Sequence, residues 1–121
     1  METLHISDKS FSYQDFAPLL SAPVRIHVDK KSKLKIKKSY DHLVNILSKG
    51  ETIYGVNTGF GKLSQVKINN EDQNKLQINL IKSHSAGVGE TMDSGIVRVA
   101  MVLKLINYCH GYSGVHPSRS E

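Results

Sequence analysis

The stretch GIVRVAMVLKLINYCH, Gly95 to His110, constrains this chain more than any other. Ile96, Val97, Val99, Ala100, Met101, Val102, Leu103, Leu105 and Ile106 make it apolar on nearly every face. A helix of that kind is normally buried on all sides. Asp93 or Ser94 supplies an N-cap, because a short polar side chain there accepts from the free amides of the first turn. The chain has 121 residues and only about three substantial helical patterns, too few to surround such a helix. The expectation is a partner, or further chain, against its outer face, and otherwise association or poor solubility.

The other elements are simpler. Ile36, Tyr40, Leu43, Val44 and Leu47 form one stripe of an amphipathic helix over about Asp29 to Lys49, with the lysines mostly opposite and Gly50 as its stop. A second helix lies within Ile68 to Gly89. Asn69 or Asn70 can cap it, Glu71 and Asp72 suit its positive end, Leu76, Leu80 and Ile81 make its stripe, and Gly87 and Gly89 end it. Ser12 to Leu20 opens a short helix, with Ser12 and Asp15 resembling a capping box and Pro18 limiting its length. Pro23 to Val28 alternates apolar and polar, the pattern of a half-buried strand too short to found a sheet alone. The last stretch, GYSGVHPSRSE, reads as loop. The predicted fold class is mainly α, with short extended segments, a Gly-rich loop and one unit over residues 1–121.

Composition narrows the function classes. Hydrophobic residues make up 39% and charged residues 22%, with a mean hydropathy of −0.30, which reads as soluble and foldable. Net charge is +5, and Lys30, Lys31, Lys33, Lys35, Lys37 and Lys38 fall within nine positions. Such a run can bind nucleic acid or an anionic membrane, but no nucleic-acid motif surrounds it, and a solvated helix face is the simpler reading. The single cysteine, Cys109, lies in an apolar helical pattern and reads as a buried thiol in a reducing compartment. No secretory signal opens the chain, and no apolar run approaches the roughly 20 residues of a membrane span. The cytoplasm is the default expectation, with neither membrane nor nucleic acid as partner. The six histidines show no i,i+4 pair and no cysteine at ligand spacing, so no metal site is expected.

Chemistry concentrates in ETIYGVNTGFGKLS, Glu51 to Ser64. A phosphate loop needs G-x-x-x-x-G-K-[ST]. Five residues separate Gly55 from Gly61 instead of four, and Leu63 stands where the hydroxyl should be. A dinucleotide fingerprint fits Gly59-Phe60-Gly61 and then meets Ser64 in place of glycine, with no βαβ unit around it. Tyr54 remains, at an expected strand-to-loop junction. It is either structural or a general base. A base would require a site that favours phenolate over a reference value near 10, under a loop that closes over substrate.

YGVNTGFGKLSQVKI (Tyr54 to Ile68), LQINLIKSHSAGVGE (Leu76 to Glu90) and GYSGVHP (Gly111 to Pro117) resemble, in order and spacing, the N-terminal segment of the aromatic amino acid ammonia-lyases, and within them the histidine ammonia-lyases most. The resemblance covers essentially the whole chain, more weakly before about Val24. It implies a mainly α-helical homotetramer whose active sites draw on more than one subunit, and non-oxidative removal of ammonia from an amino acid, giving urocanate from histidine. It implies a methylidene-imidazolone prosthetic group formed from an Ala-Ser-Gly triplet. Tyr54 would remove the β-proton, and Gly55, Val56, Asn57, Thr58, Gly59, Phe60 and Gly61 would form the inner lid loop. The selectivity position would fall on Ser83 and His84. The Ser-His pair is similar to that of histidine ammonia-lyases, where tyrosine lyases often carry His-Leu and phenylalanine lyases Phe-Leu. The alternatives are a tyrosine or phenylalanine lyase or aminomutase of the same family, or a non-catalytic truncated paralogue that binds a partner. The triplet does not occur in residues 1–121, so the expectation is a base without its electrophile and no lyase activity from this polypeptide alone.

Overall fold

The computed structural model describes residues 2–120. In chain order its main elements are β1 (Thr3–Ile6), α1 (Ala17–Ser21), β2 (Arg25–Val28), α2 (Lys30–Ser48), α3 (Gln73–His84) and α4 (Ser94–Cys109). Short 3-10 turns precede α1 at Tyr13–Phe16 and α3 at Asn70–Asp72, and others lie at Gly61–Leu63 and Pro117–Ser120. The mainly α reading is met. The chain divides into two compact units, one made of residues 1–44 with 91–121 and the other of residues 45–90.

The first unit contains a pairing that the sequence reading lacks. β2 is no lone strand: it pairs in parallel with β1, with Leu4 opposite Ile26 and Ile6 opposite Val28. Alternation places Leu4 and Ile6 on one face of β1, and residues two apart on a strand share a face. That face joins Leu19, Val28, Val102 and Cys109 in the core, with Phe11, Phe16, Val99, Leu105 and Ile106 packed around it. Asp15 Oδ2 accepts from Ser12 N at 2.7 Å, closing the turn that leads into α1. Arg98 of α4 donates from Nε to Leu19 O at 2.6 Å and from Nη2 to Leu20 O at 3.2 Å. It thereby satisfies carbonyls that the short α1 leaves without helical partners.

Asp29 Oδ1 accepts from Ser32 N at 2.8 Å and caps α2. Its inward stripe starts one turn earlier than the apolar residues suggest, because Ser32 is buried beside Ile36. Tyr40, Leu43 and Leu47 are half-buried, whereas Val44 is exposed and departs from the expected stripe. The segment after α4 lies along α2. Gly114 N donates to Ser39 Oγ at 3.0 Å, and His116 meets the Tyr40 ring edge-on at 4.9 Å.

Asp93 is the N-cap of α4, accepting from Gly95 N at 2.8 Å and Ile96 N at 3.2 Å. Only one side of α4 is covered. Gly95, Val102 and Cys109, spaced seven apart, are buried. Ile96, Val97, Met101 and Leu103 are exposed, at 52%, 38%, 64% and 48%. Burial pushes the Cys109 thiol up, so it stays protonated and unreactive. Among the described residues, no helix is long and apolar enough to cross a membrane.

Candidate active site

The second unit holds every residue singled out for chemistry. Tyr54 sits in a tight turn, and residues 51–53 belong to no strand, so the expected strand-to-loop junction is a coil-to-turn junction. Val56 N and Asn57 N both donate to Ile53 O, at 3.1 and 3.3 Å, and fold the chain back directly after Tyr54. Gly55 takes φ 76°, a left-handed conformation that a side chain disfavours.

Below the turn, Asn57 and Thr58 are 2% and 1% exposed. Asn57 Oδ1 accepts from Ile53 N at 2.8 Å, and its Nδ2 donates to Glu51 O at 2.8 Å. Thr58 Oγ1 accepts from Gly55 N at 3.1 Å and donates to Gly59 O at 2.9 Å. The base of the loop is closed by backbone bonds: Ile68 N donates to Asn57 O at 2.8 Å and Gly59 N to Val66 O at 3.0 Å. Lys67 Nζ donates to Gly50 O at 2.7 Å, tying the loop's exit to its entry. Gly59 is glycine because of packing: a Cβ there would stand 2.6 Å from Leu63 O and 2.7 Å from Leu63 Cβ.

Tyr54 itself is 65% exposed. Its ring meets Phe60 edge-on, with centroids 6.0 Å apart and planes at 75°, an arrangement favoured by the ring quadrupoles. Phe60 in turn lines a cleft of about 590 Å³ with Leu80, Ile81, His84 and Ser85. The structure thus brings the Gly-rich loop and the end of α3 to one cleft, through Phe60 and His84. Tyr54 adjoins the cleft only by way of Phe60. Gln77 Nε2 of α3 also reaches Gly55 O at 3.4 Å.

Helix α3 ends at His84, five residues before Gly89, with Ser85 N donating to Ile81 O at 2.8 Å. Its first turn takes Asn69 and Asp72 at cap positions with no side-chain cap bond from either. At its end Ser83 Oγ donates to Leu80 O at 3.0 Å. His84 Nδ1 lies 2.9 Å from the same carbonyl and 3.0 Å from Ser83 Oγ. A carbonyl oxygen only accepts, so Nδ1 carries the hydrogen. The neutral imidazole then offers Nε2 as an acceptor, and the protonated ring offers it as a donor.

The bonding of the buried Asn57–Thr58 pair is what sequence reasoning did not reach. Both residues were assigned to the lid loop, without a role of their own. Asn and Thr beside glycines are turn-bonding residues, and that was the available signal. Among the described residues, no group of three or more His, Cys, Asp or Glu side chains could hold a metal ion.

Comparison with known proteins gives a consistent result. The family model described as "Aromatic amino acid lyase" matches residues 11–121. Histidine ammonia-lyase of Yersinia enterocolitica serotype O:8 is 42% identical over 101 residues, covering 84% of this chain and 20% of its own length. Histidine ammonia-lyase of Salmonella paratyphi B is 36% identical over 121 residues, covering 100% of this chain and 24% of its own. Among solved structures, the tyrosine aminomutase of Streptomyces globisporus matches with a TM-score of 0.89 at 25% identity, covering 98% of this chain and 22% of its own. The histidine ammonia-lyase of Trypanosoma cruzi matches with a TM-score of 0.83 at 27% identity, covering 96% and 22%. This chain therefore spans only 20% to 24% of the length of the two curated relatives above.

Proposed function

This chain belongs to the aromatic amino acid lyase family, and we propose that it is the N-terminal part of a histidine ammonia-lyase, converting L-histidine to urocanate and ammonia. The observation that carries the proposal is the single cleft at which the Tyr54 loop, through Phe60, meets the Ser83-His84 end of α3. Identities of 42% and 36% to proteins named histidine ammonia-lyase support the choice of substrate.

Tyr54 is the residue that takes the β-proton of the substrate. Its exposure leaves the phenol accessible, and the turn beneath it fixes where the side chain starts. His84, held by Nδ1 to Leu80 O, uses Nε2 to pair with the polar ring of the substrate. Ser83 anchors that orientation by sharing Leu80 O and accepting from His84 Nδ1. Gly55, Val56, Asn57, Thr58, Gly59, Phe60 and Gly61 form the lid, with Phe60 as its apolar contact at the cleft.

The methylidene-imidazolone group supplies the electrophile that activates the amino acid in this family. Residues 1–121 do not fit its formation. The nearest run, Ser85-Ala86-Gly87, has the wrong order and is exposed along its length. In the intact enzyme we further propose a homotetramer in the cytoplasm, with an amino acid as its partner and neither nucleic acid nor membrane. In the lysine cluster, Lys31 and Lys35 face Asp8 and Lys37 faces Asp41, which supports a paired and solvated helix face.

Product identification tests the proposal. The full-length enzyme carrying this segment is expected to give urocanate from L-histidine. Cinnamate-type products from tyrosine or phenylalanine, with none from histidine, would instead identify an aromatic lyase of the same family. A β-amino acid product would identify an aminomutase. The 121-residue polypeptide purified alone is expected to form no urocanate, and measurable formation would contradict that.

A further inference from the structure

We infer that Asn57 and Thr58 are positioning residues that hold the Tyr54 turn in register, a role that rests on Tyr54 being the base. Tyr54 projects from a two-sided clamp. The amide of the preceding residue, Ile53 N, donates to Asn57 Oδ1 at 2.8 Å, and the amide of the following residue, Gly55 N, donates to Thr58 Oγ1 at 3.1 Å. Asn57 Nδ2 extends the hold one turn back, to Glu51 O at 2.8 Å. Both side chains are almost fully buried, while the tyrosine they flank is largely exposed.

That contrast argues for function. Burying a polar side chain costs free energy unless its bonding capacity is used, and both groups of Asn57 and both roles of the Thr58 hydroxyl are used. The Thr58 bond is made to the peptide group that follows Tyr54, and the Asn57 bond to the peptide group one residue before it, while Ile53 O of the intervening peptide accepts from Val56 N and Asn57 N. Together these bonds set the direction of the Tyr54 Cα–Cβ bond, and the ring rests edge-on against Phe60. A general base has to reach about 2.6–3.2 Å from the proton it takes, so an error in that starting direction passes directly into the transfer distance. The Gly-rich segment is thus held fast at the position that carries the phenol.

Four variants of the full-length enzyme test this: Tyr54→Phe, Asn57→Ala, Thr58→Val and Thr58→Ser. Thr58→Val keeps the shape and deletes the hydroxyl, and Thr58→Ser restores it. A misplacement of about 1 Å costs on the order of 100-fold in rate. Losses in kcat of roughly 10- to 100-fold are therefore expected for Asn57→Ala and Thr58→Val, with KM changed less than about 3-fold and Thr58→Ser near wild type. Hydrogen exchange of the peptide spanning residues 51–60 is expected to speed up in the two damaging variants and to stay slow in Thr58→Ser. If Asn57→Ala fails to fold, the Thr58 pair alone decides. Thr58→Val at wild-type kcat, or a rise in KM without a fall in kcat, overturns the clamp. Full kcat in Tyr54→Phe overturns the base assignment itself, a result separate from the clamp's failure.

Discussion

At the residue scale, two positions show how packing and charge divide the work. Gly59 has no room for a methyl group, since its Cβ would meet the backbone and Cβ of Leu63. Gly59→Ala should therefore cost about 1–3 kcal/mol, as overpacking does. Gly87 has nothing within 4 Å of its Cβ position, and Gly87→Ala should stay within roughly 0.5 kcal/mol of wild type. Urea midpoints of the two variants check the contrast. Charge acts at Asp8. The hydrogen bond from Lys35, and then the nearby Lys31, hold its carboxyl below the usual range. The same bond raises Lys35. A lowered acid contributes stability above its unfolded value, near 3.9, and loses it as pH falls through the lower folded value. A raised lysine contributes below its unfolded value, near 10.4, and loses it as pH climbs through the higher folded one. Asp8→Asn should therefore lower the urea midpoint most around neutral pH. The difference should shrink in strong acid and also in high salt, which screens exposed pairs.

At the element scale, α4 is the decisive piece. Its sequence demanded cover on all sides, and the structure covers the side that holds Gly95, Val102 and Cys109. The exposed Ile96, Met101 and Leu103 leave apolar surface of the sort that marks an interaction face. Sedimentation velocity of the 121-residue chain should show concentration-dependent association, reduced by Met101→Lys with Leu103→Lys. A monomer with cooperative melting in the unsubstituted chain would contradict this. Helix existence was legible because 3.6-residue spacing and caps such as Asp93 are local signals. The β1–β2 pairing was not, because four-residue strands carry too few alternating positions, and the partner of Arg25–Val28 lies some twenty residues earlier. The same limit hid Ser32, a polar residue that continues the buried stripe of α2.

At the scale of the whole molecule, the family resemblance named Tyr54, Phe60 and His84, and the fold places all three in one unit. Tyr54, Phe60 and His84 come from one unit, and the sequence motifs carried that grouping. What no motif displayed was the contrast inside the loop, where Asn57 and Thr58 are buried and Tyr54 is exposed. Side-chain bonds to neighbouring amides depend on φ and ψ at each position, and a string of glycines and polar residues permits many such patterns. The central claim is that Tyr54 is the general base, and the most direct measurement is the steady-state rate of urocanate formation by full-length Tyr54→Phe against wild type. Positioned proton transfer is worth about 100- to 10,000-fold, so kcat should fall by about that factor while the protein keeps its fold and assembly. An unchanged kcat would contradict it.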